Sequence, residues 1–157
     1  MDYSLPVKPS PNLPNDKAIN LYASLCFFEG TNVSVGRGTD KQFQIYGSPF
    51  LPQGDFSFMS LPNLGSKNPL HNNVVCHGED LSEISPVKRL RLKWLIEAYE
   101  NTADKSTFFT PFFTKLAGTK LLRVQIEQGL SEKEIRNTWE KGLEEFLEMR
   151  KTYLIYN

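Results

Sequence analysis

Between residues 19 and 28 the odd positions Ile19, Leu21, Ala23, Leu25 and Phe27 are all apolar, while the even ones mix Asn20, Tyr22, Ser24, Cys26 and Phe28. A period of two predicts a strand. The alternation returns in Gln42-Phe43-Gln44-Ile45-Tyr46, stops at Gly47-Ser48-Pro49, and reads as a second strand able to pair with the first. Residues 50–73 carry Pro52, Gly54, Pro62, Gly65 and Pro69 among scattered aromatics, which predicts loop apart from a short strand over 56–59. Val74-Val75-Cys76 predicts another short strand, ended by His77-Gly78.

From there the period changes to that of a helix. Ser85-Pro86 offers an N-cap followed by proline in the first turn, and Val87, Leu90, Trp94 and Ala98 recur at helical spacing beside Leu95, Ile96 and Tyr99. This predicts a helix of about four turns, ended within residues 101–105. Phe108, Phe109, Phe112 and Phe113 around Pro111 are expected to plug the core. Residues 120–128 predict a shorter helix closed by Gly129 at C′, and Ser131 with Glu134 forms a capping-box pattern ahead of Ile135, Trp139, Leu143, Phe146, Leu147 and Arg150 on one face. The closing Tyr153-Leu154-Ile155-Tyr156 reads as a buried final strand or extended end. Strands early and helices late predict an α+β fold, a small, mainly antiparallel sheet packed against C-terminal helices.

Bulk composition narrows the function classes. A chain of 157 residues suits one domain with a real core. Lys plus Arg equals Asp plus Glu at 18 each, so no global field gathers a polyanion, and a nucleic-acid partner is not expected. The apolar stretches fall far below the roughly 18 residues of a membrane helix, and Met1-Asp2-Tyr3 does not open a signal peptide. Pro6, Pro9, Pro11 and Pro14 give residues 1–17 the composition of an extended linker, as if cut at a domain boundary, leaving residues 18–157 as the domain. Cys26 and Cys76 both lie in apolar runs; two buried thiols is the ordinary reading and an inter-strand disulfide the alternative. His71 and His77 share no zinc-like spacing with them, so neither a metal nor a cofactor is expected.

Candidate chemistry concentrates in Phe28-Glu29-Gly30-Thr31-Asn32-Val33-Ser34-Val35-Gly36-Arg37-Gly38-Thr39. Its glycines let the backbone approach another molecule closely, while Glu29, Asn32, Ser34, Arg37 and Thr39 offer charge and hydrogen bonds. Gly36-Arg37-Gly38-Thr39 lacks the Gly-Lys-Ser/Thr ending of a P-loop, and Lys41 stands where a dinucleotide fingerprint needs its third glycine. Cys76-His77 hints at a thiol nucleophile, but neighbours on a strand point to opposite faces. The basic run Lys88, Arg89, Arg91 and Lys93 reads as a solvated face, and Trp94 and Trp139 as core.

The Glu-Gly-Thr-Asn-x-Ser-x-Gly-Arg-Gly-Thr string resembles the C-terminal half of the exo-β-N-acetylmuramidase family of peptidoglycan-recycling glycosidases. The resemblance extends to Pro11-Asn12-Leu13-Pro14, Tyr22, Gly47-Ser48-Pro49, residues 112–118, Arg123-Val124-Gln125-Ile126, Gly129-Leu130-Ser131 and Arg150-Lys151-Thr152-Tyr153-Leu154. It implies the smaller α+β domain of a two-domain enzyme whose larger Rossmann-like N-terminal domain is absent here, with the pocket in the cleft between. It further implies release of N-acetylmuramic acid from non-reducing ends of peptidoglycan fragments, outside the cytoplasmic membrane.

Glycoside hydrolysis usually needs two carboxyl groups roughly 5 to 9.5 Å apart. The string supplies one, Glu29, with Asp40 just outside and Glu79 and Asp80 beside another strand end. Catalysis shared with the absent domain is therefore expected. Glu29 is the candidate catalytic carboxylate, although an ion pair with Arg37 or orientation of substrate ranks ahead of direct acid catalysis. Arg37 suits a lactyl or peptide carboxylate, or locks the loop through Glu29. Asn32, Ser34 and Thr39 can bond sugar hydroxyls or the acetamido group, or simply brace the loop, and Gly36 and Gly38 complete the candidate substrate-binding set. The rival reading is a noncatalytic carbohydrate-binding or protein-interaction module; a self-sufficient hydrolase would need a second well-placed carboxylate.

Overall fold

The computed structural model describes residues 5–156, so the first four residues of the expected linker and Asn157 lie outside it. The stretch after Pro14 is a helix, α1 (Asp16–Leu25), and not the strand its alternation predicts. Asn15 caps it, its Oδ1 accepting from the Ala18 N–H at 2.9 Å, and Asp16 favours the first turn. The apolar positions that are buried are Ala18, Leu21, Leu25 and Phe28, three and four apart, with Ser24 buried beside them, while Tyr22 and Ala23 face outward. After Leu25 the helix tightens into a 3₁₀ turn, Cys26–Gly30. Asn15 also donates to Gln44 Oε1 at 3.2 Å, tying the helix start to the far side of the loop. Asn15→Ala should therefore cost about 1 kcal/mol, read as a fall of roughly 2 to 4 °C in a thermal melt. No change would mean that tertiary packing alone holds this end.

The sheet has three antiparallel strands, β1 (Ile45–Ser48), β2 (Ser57–Met59) and β3 (Val75–Asp80), in the order β1-β3-β2. The expected strand at 42–46 thus begins later, because Phe43 sits at φ 53, and its partner is β3. β3 runs on through His77-Gly78 instead of ending there. Gly47 faces Gly78 across the ladder, where a Cβ on Gly78 would lie 2.0 Å from the Tyr46 carbonyl oxygen. Glycine is what lets these two strands meet.

The next helix starts well after Ser85, as α2 (Lys93–Asn101). The preceding residues are held irregular by α1: Asn20 accepts from the Val87 N–H at 2.8 Å and donates to its carbonyl at 2.9 Å, and Ser24 Oγ accepts from the Arg91 N–H at 2.9 Å. Backbone groups spent on α1 are lost to a helical turn. Then follow α3 (Phe113–Ala117), α4 (Leu121–Glu127) with Gly129 at φ 77, and α5 (Glu132–Asn137), whose capping box between Ser131 and Glu134 is present in both directions.

The expected single terminal helix is split. Thr138 and Trp139 donate to carbonyls three residues back, at 3.1 and 2.9 Å, before α6 (Glu140–Arg150) resumes. No residue of α6 is buried, and Tyr153, Ile155 and Tyr156 are exposed, so the tail is not a buried strand. It passes into a 3₁₀ turn, Lys151–Tyr153, beyond the reach of the core. Phe112 is likewise half exposed, turned away from Phe108, Phe109 and Phe113, which are buried. One continuous core joins α1, Val33 and Val35, β1, α2, the three buried phenylalanines, α4 and Ile135.

Candidate functional site

The Gly-rich loop crosses the domain between two anchors. At its start the Thr31 Oγ1 donates to the Phe28 carbonyl at 2.8 Å, the Asn32 N–H to the Phe108 carbonyl at 2.9 Å, and the Thr110 N–H to the Gly30 carbonyl at 2.9 Å. Gly30 lies flat on α3, where a Cβ would stand 2.5 Å from Phe113 Cα. Further on, Ser34 exchanges two backbone hydrogen bonds with Gly47, at 2.8 and 2.9 Å, and so adds a residue to the outer edge of β1. The chain then folds back through Gly36 at φ 73 and Gly38 at φ 84. Gly38 is pressed against the 60–70 loop, with the Leu61 carbonyl oxygen 2.6 Å from where its Cβ would be.

This path brings Glu29 and Arg37 together. Arg37 Nη2 and Nε both point at Glu29 Oε1, at 2.5 and 3.1 Å, and the guanidinium lies 5.1 Å from the centre of the buried Phe43 ring. Tyr22 meets the other side of the arrangement, edge-on to Phe43 at 5.0 Å. Because both contacts use Oε1, Glu29 Oε2 has no protein partner among the described residues. The pair is about one-third exposed, so it is available to a ligand and adds little stability.

Beside it opens a pocket of about 320 Å³, floored by the buried Val33 and Val35 and lined further by Glu29, Arg37, Thr31, Ser34, Thr110 and the half-exposed Leu70. An apolar floor with a few convergent polar groups is the usual make-up of a small-molecule site. Of the sequence candidates, Glu29, Ser34 and Arg37 line this pocket, and Asn32, Gly36, Gly38 and Thr39 do not. Ser34 is nearly buried, and its Oγ accepts from the Gly36 N–H at 3.3 Å. The Thr39 Oγ1 donates to the Gly36 carbonyl at 2.7 Å. Asn32 is partly exposed, with Nδ2 at 3.5 Å from Thr107 Oγ1 and a buried Oδ1 that has no partner.

Leu70, Thr110 and the neighbouring His71, whose Nε2 donates to the Asn32 carbonyl at 2.8 Å, carry no signal in the linear sequence. They arrive from loops about forty and eighty residues downstream of the string. The remaining carboxylates stand apart. Glu79 and Glu97 share a separate recess of about 120 Å³ with Tyr46, whose phenol burial and the Glu79 carboxylate push far up. Asp80 takes the Lys41 ammonium at 2.5 Å; burial raises its pKa, but hydrogen bonds from Lys41 and Ser82 prevail and hold it below the ordinary aspartate range. Glu29 is thus the single carboxylate of the pocket among the described residues.

The thiols are free, and both are raised in pKa by burial, Cys76 to about 11, so neither is a thiolate at neutral pH. Among the described residues, no three His, Cys, Asp or Glu side chains group as metal ligands, and no helix is long and apolar enough to cross a membrane.

An α+β domain with a ligand-sized pocket against the edge of its sheet is the frame into which comparison with known proteins fits. The chain belongs to the family described as the C-terminal part of the exo-β-N-acetylmuramidase NamZ, which it matches over residues 20–156. It is 35% identical to the peptidoglycan β-N-acetylmuramidase NamZ of Bacillus subtilis, over 99% of this chain and 42% of that protein. A crystal structure of a DUF1343 family protein from Bacteroides fragilis superposes with a TM-score of 0.94 at 46% identity, covering 100% of this chain and 46% of that one. The chain therefore spans less than half the length of either relative.

Proposed function

We propose that this chain is the cleft-forming, substrate-binding domain of an exo-β-N-acetylmuramidase that releases N-acetylmuramic acid from non-reducing ends of peptidoglycan fragments, acting outside the cytoplasmic membrane. The observation that carries the reading is the Glu29–Arg37 pair at the rim of an apolar-floored pocket that holds no second carboxylate among the described residues. Arg37 offers a planar, two-pronged donor for the lactyl carboxylate that distinguishes muramic acid from glucosamine. Glu29 Oε2 is free to accept from a sugar hydroxyl, with Asn32, Ser34, Gly36, Gly38 and Thr39 shaping the loop that presents both. Glycoside hydrolysis usually uses two carboxyl groups, and in this reading the second is supplied by the preceding domain.

The test is a titration of the isotope-labelled chain followed by NMR. A disaccharide ending in N-acetylmuramic acid should shift the amides of Glu29, Arg37 and Thr110, and N,N′-diacetylchitobiose, which lacks the carboxylate, should not. Equal shifts from both sugars would favour a general carbohydrate-binding module, and no shifts would remove the pocket from consideration. The chain alone should release no N-acetylmuramic acid from the same disaccharide. Steady turnover would overturn the shared-site argument.

A further inference from the structure

We propose that the apolar face of α6 is a docking surface for the portion of the protein that precedes this domain in its longer relatives. The argument begins with a stripe that starts inside the core and leaves it. Ile135 is fully buried and Trp139 partly so, and the same face continues through Leu143, Phe146 and Leu147, which are 51 to 53% exposed. Lys141 and Glu145 occupy the opposite side, with Glu140, Glu144 and Glu148 along one flank of the stripe, so α6 is amphipathic with its apolar side uncovered. Leu147 and Leu154, bordered by Glu144, Glu148, Arg150 and Lys151, also line an open groove of about 610 Å³.

A helix whose polar face already meets water gains nothing by exposing its other face. The occupant follows from length. The Bacteroides fragilis structure reproduces this chain from end to end with a TM-score of 0.94, yet the chain is only 46% of it. The helix therefore keeps its place in a protein with more than as much chain again to lay against it. The proposal uses the relatives' length and not the muramic acid reading, so the two fail separately.

Hydrogen exchange read by mass spectrometry tests it on two proteins: this chain alone, and a chimera in which it replaces the matching 46% of the Bacteroides fragilis protein. Peptides spanning 140–150 should exchange fast in the chain alone and at least tenfold more slowly in the chimera. Leu143→Glu with Phe146→Glu should leave the melting temperature of the chain alone within about 1 °C, because neither side chain is buried there, and should abolish the protection in the chimera. Equal exchange in both proteins overturns the proposal, as does a drop of several degrees in the isolated double variant. Self-association of the isolated chain that the double variant abolishes also overturns it, by making a second copy the occupant. If the chimera does not fold, the unmodified Bacteroides fragilis protein takes its place, and fast exchange of its matching helix overturns the proposal equally.

Discussion

Gly78→Ala should lower the stability of this domain by about 3 kcal/mol, a fall of roughly 6 to 12 °C in a thermal melt. The added methyl would stand 2.0 Å from the Tyr46 carbonyl oxygen and 2.6 Å from Gly47 Cα, and both are backbone atoms of the paired strand, with no side chain to swing aside. Relief requires β1 and β3 to part at the centre of the sheet, and Tyr46 stacks on Phe28 at 4.8 Å, so the strain passes into the core. Gly54→Ala is the control, since nothing lies within 4 Å of its added Cβ, and it should stay within about 0.5 kcal/mol of the parent. A Gly78→Ala variant as stable as the control would mean that the Gly47–Gly78 register is wrong.

Arg37→Lys, made in a protein that carries both domains, should reduce muramic acid release by something between tenfold and a hundredfold, roughly 1.5 to 3 kcal/mol. Lysine keeps the charge and loses the planar fork. The ion pair with Glu29 is partly solvated, so the melting temperature should move little in Arg37→Lys and in Glu29→Gln alike. Locking the loop is the competing role for the pair. Its signature is a matching loss of stability in both variants, with activity falling only in proportion to folded protein, and that result would take Arg37 off the list of binding residues.

The helices were most legible where side chains close their own ends. Ser131 with Glu134 and the positive φ at Gly129 act within a few residues, so the linear order contains the whole interaction. Residues 19–28 misled because two periods overlap there: the alternation from Ile19 to Phe27 is real in the sequence, but burial follows Ala18, Leu21, Leu25 and Phe28. The decisive local cue was Asn15-Asp16 after Pro14, a cap followed by an acidic first turn. The helix expected from Ser85 failed for a non-local reason, since Asn20 and Ser24 claim its backbone from sixty-seven residues away. The antiparallel α+β class survived these shifts.

The site was half legible for the same reason. Glu29 and Arg37 are eight residues apart and close enough in sequence for their pairing to be weighed in advance. The parts of the pocket wall from Leu70 and Thr110 depend on how distant loops return. The apolar stripe of the solvent-facing α6 predicts that something covers it, and the sequence does not say what.

The docking of Ser34 on Gly47 has a consequence for solubility. β1 would otherwise present an open row of N–H and C=O groups, the template on which separate chains pair into aggregates. β2, the other edge, is guarded by being only three residues long. The same loop that shapes the pocket therefore also stands as the gatekeeper of the sheet. Remodelling it for a new ligand, by an insertion near Ser34 or a bulkier residue at Gly36 or Gly38, would loosen that guard, and such variants would be lost to aggregation before their binding could be judged.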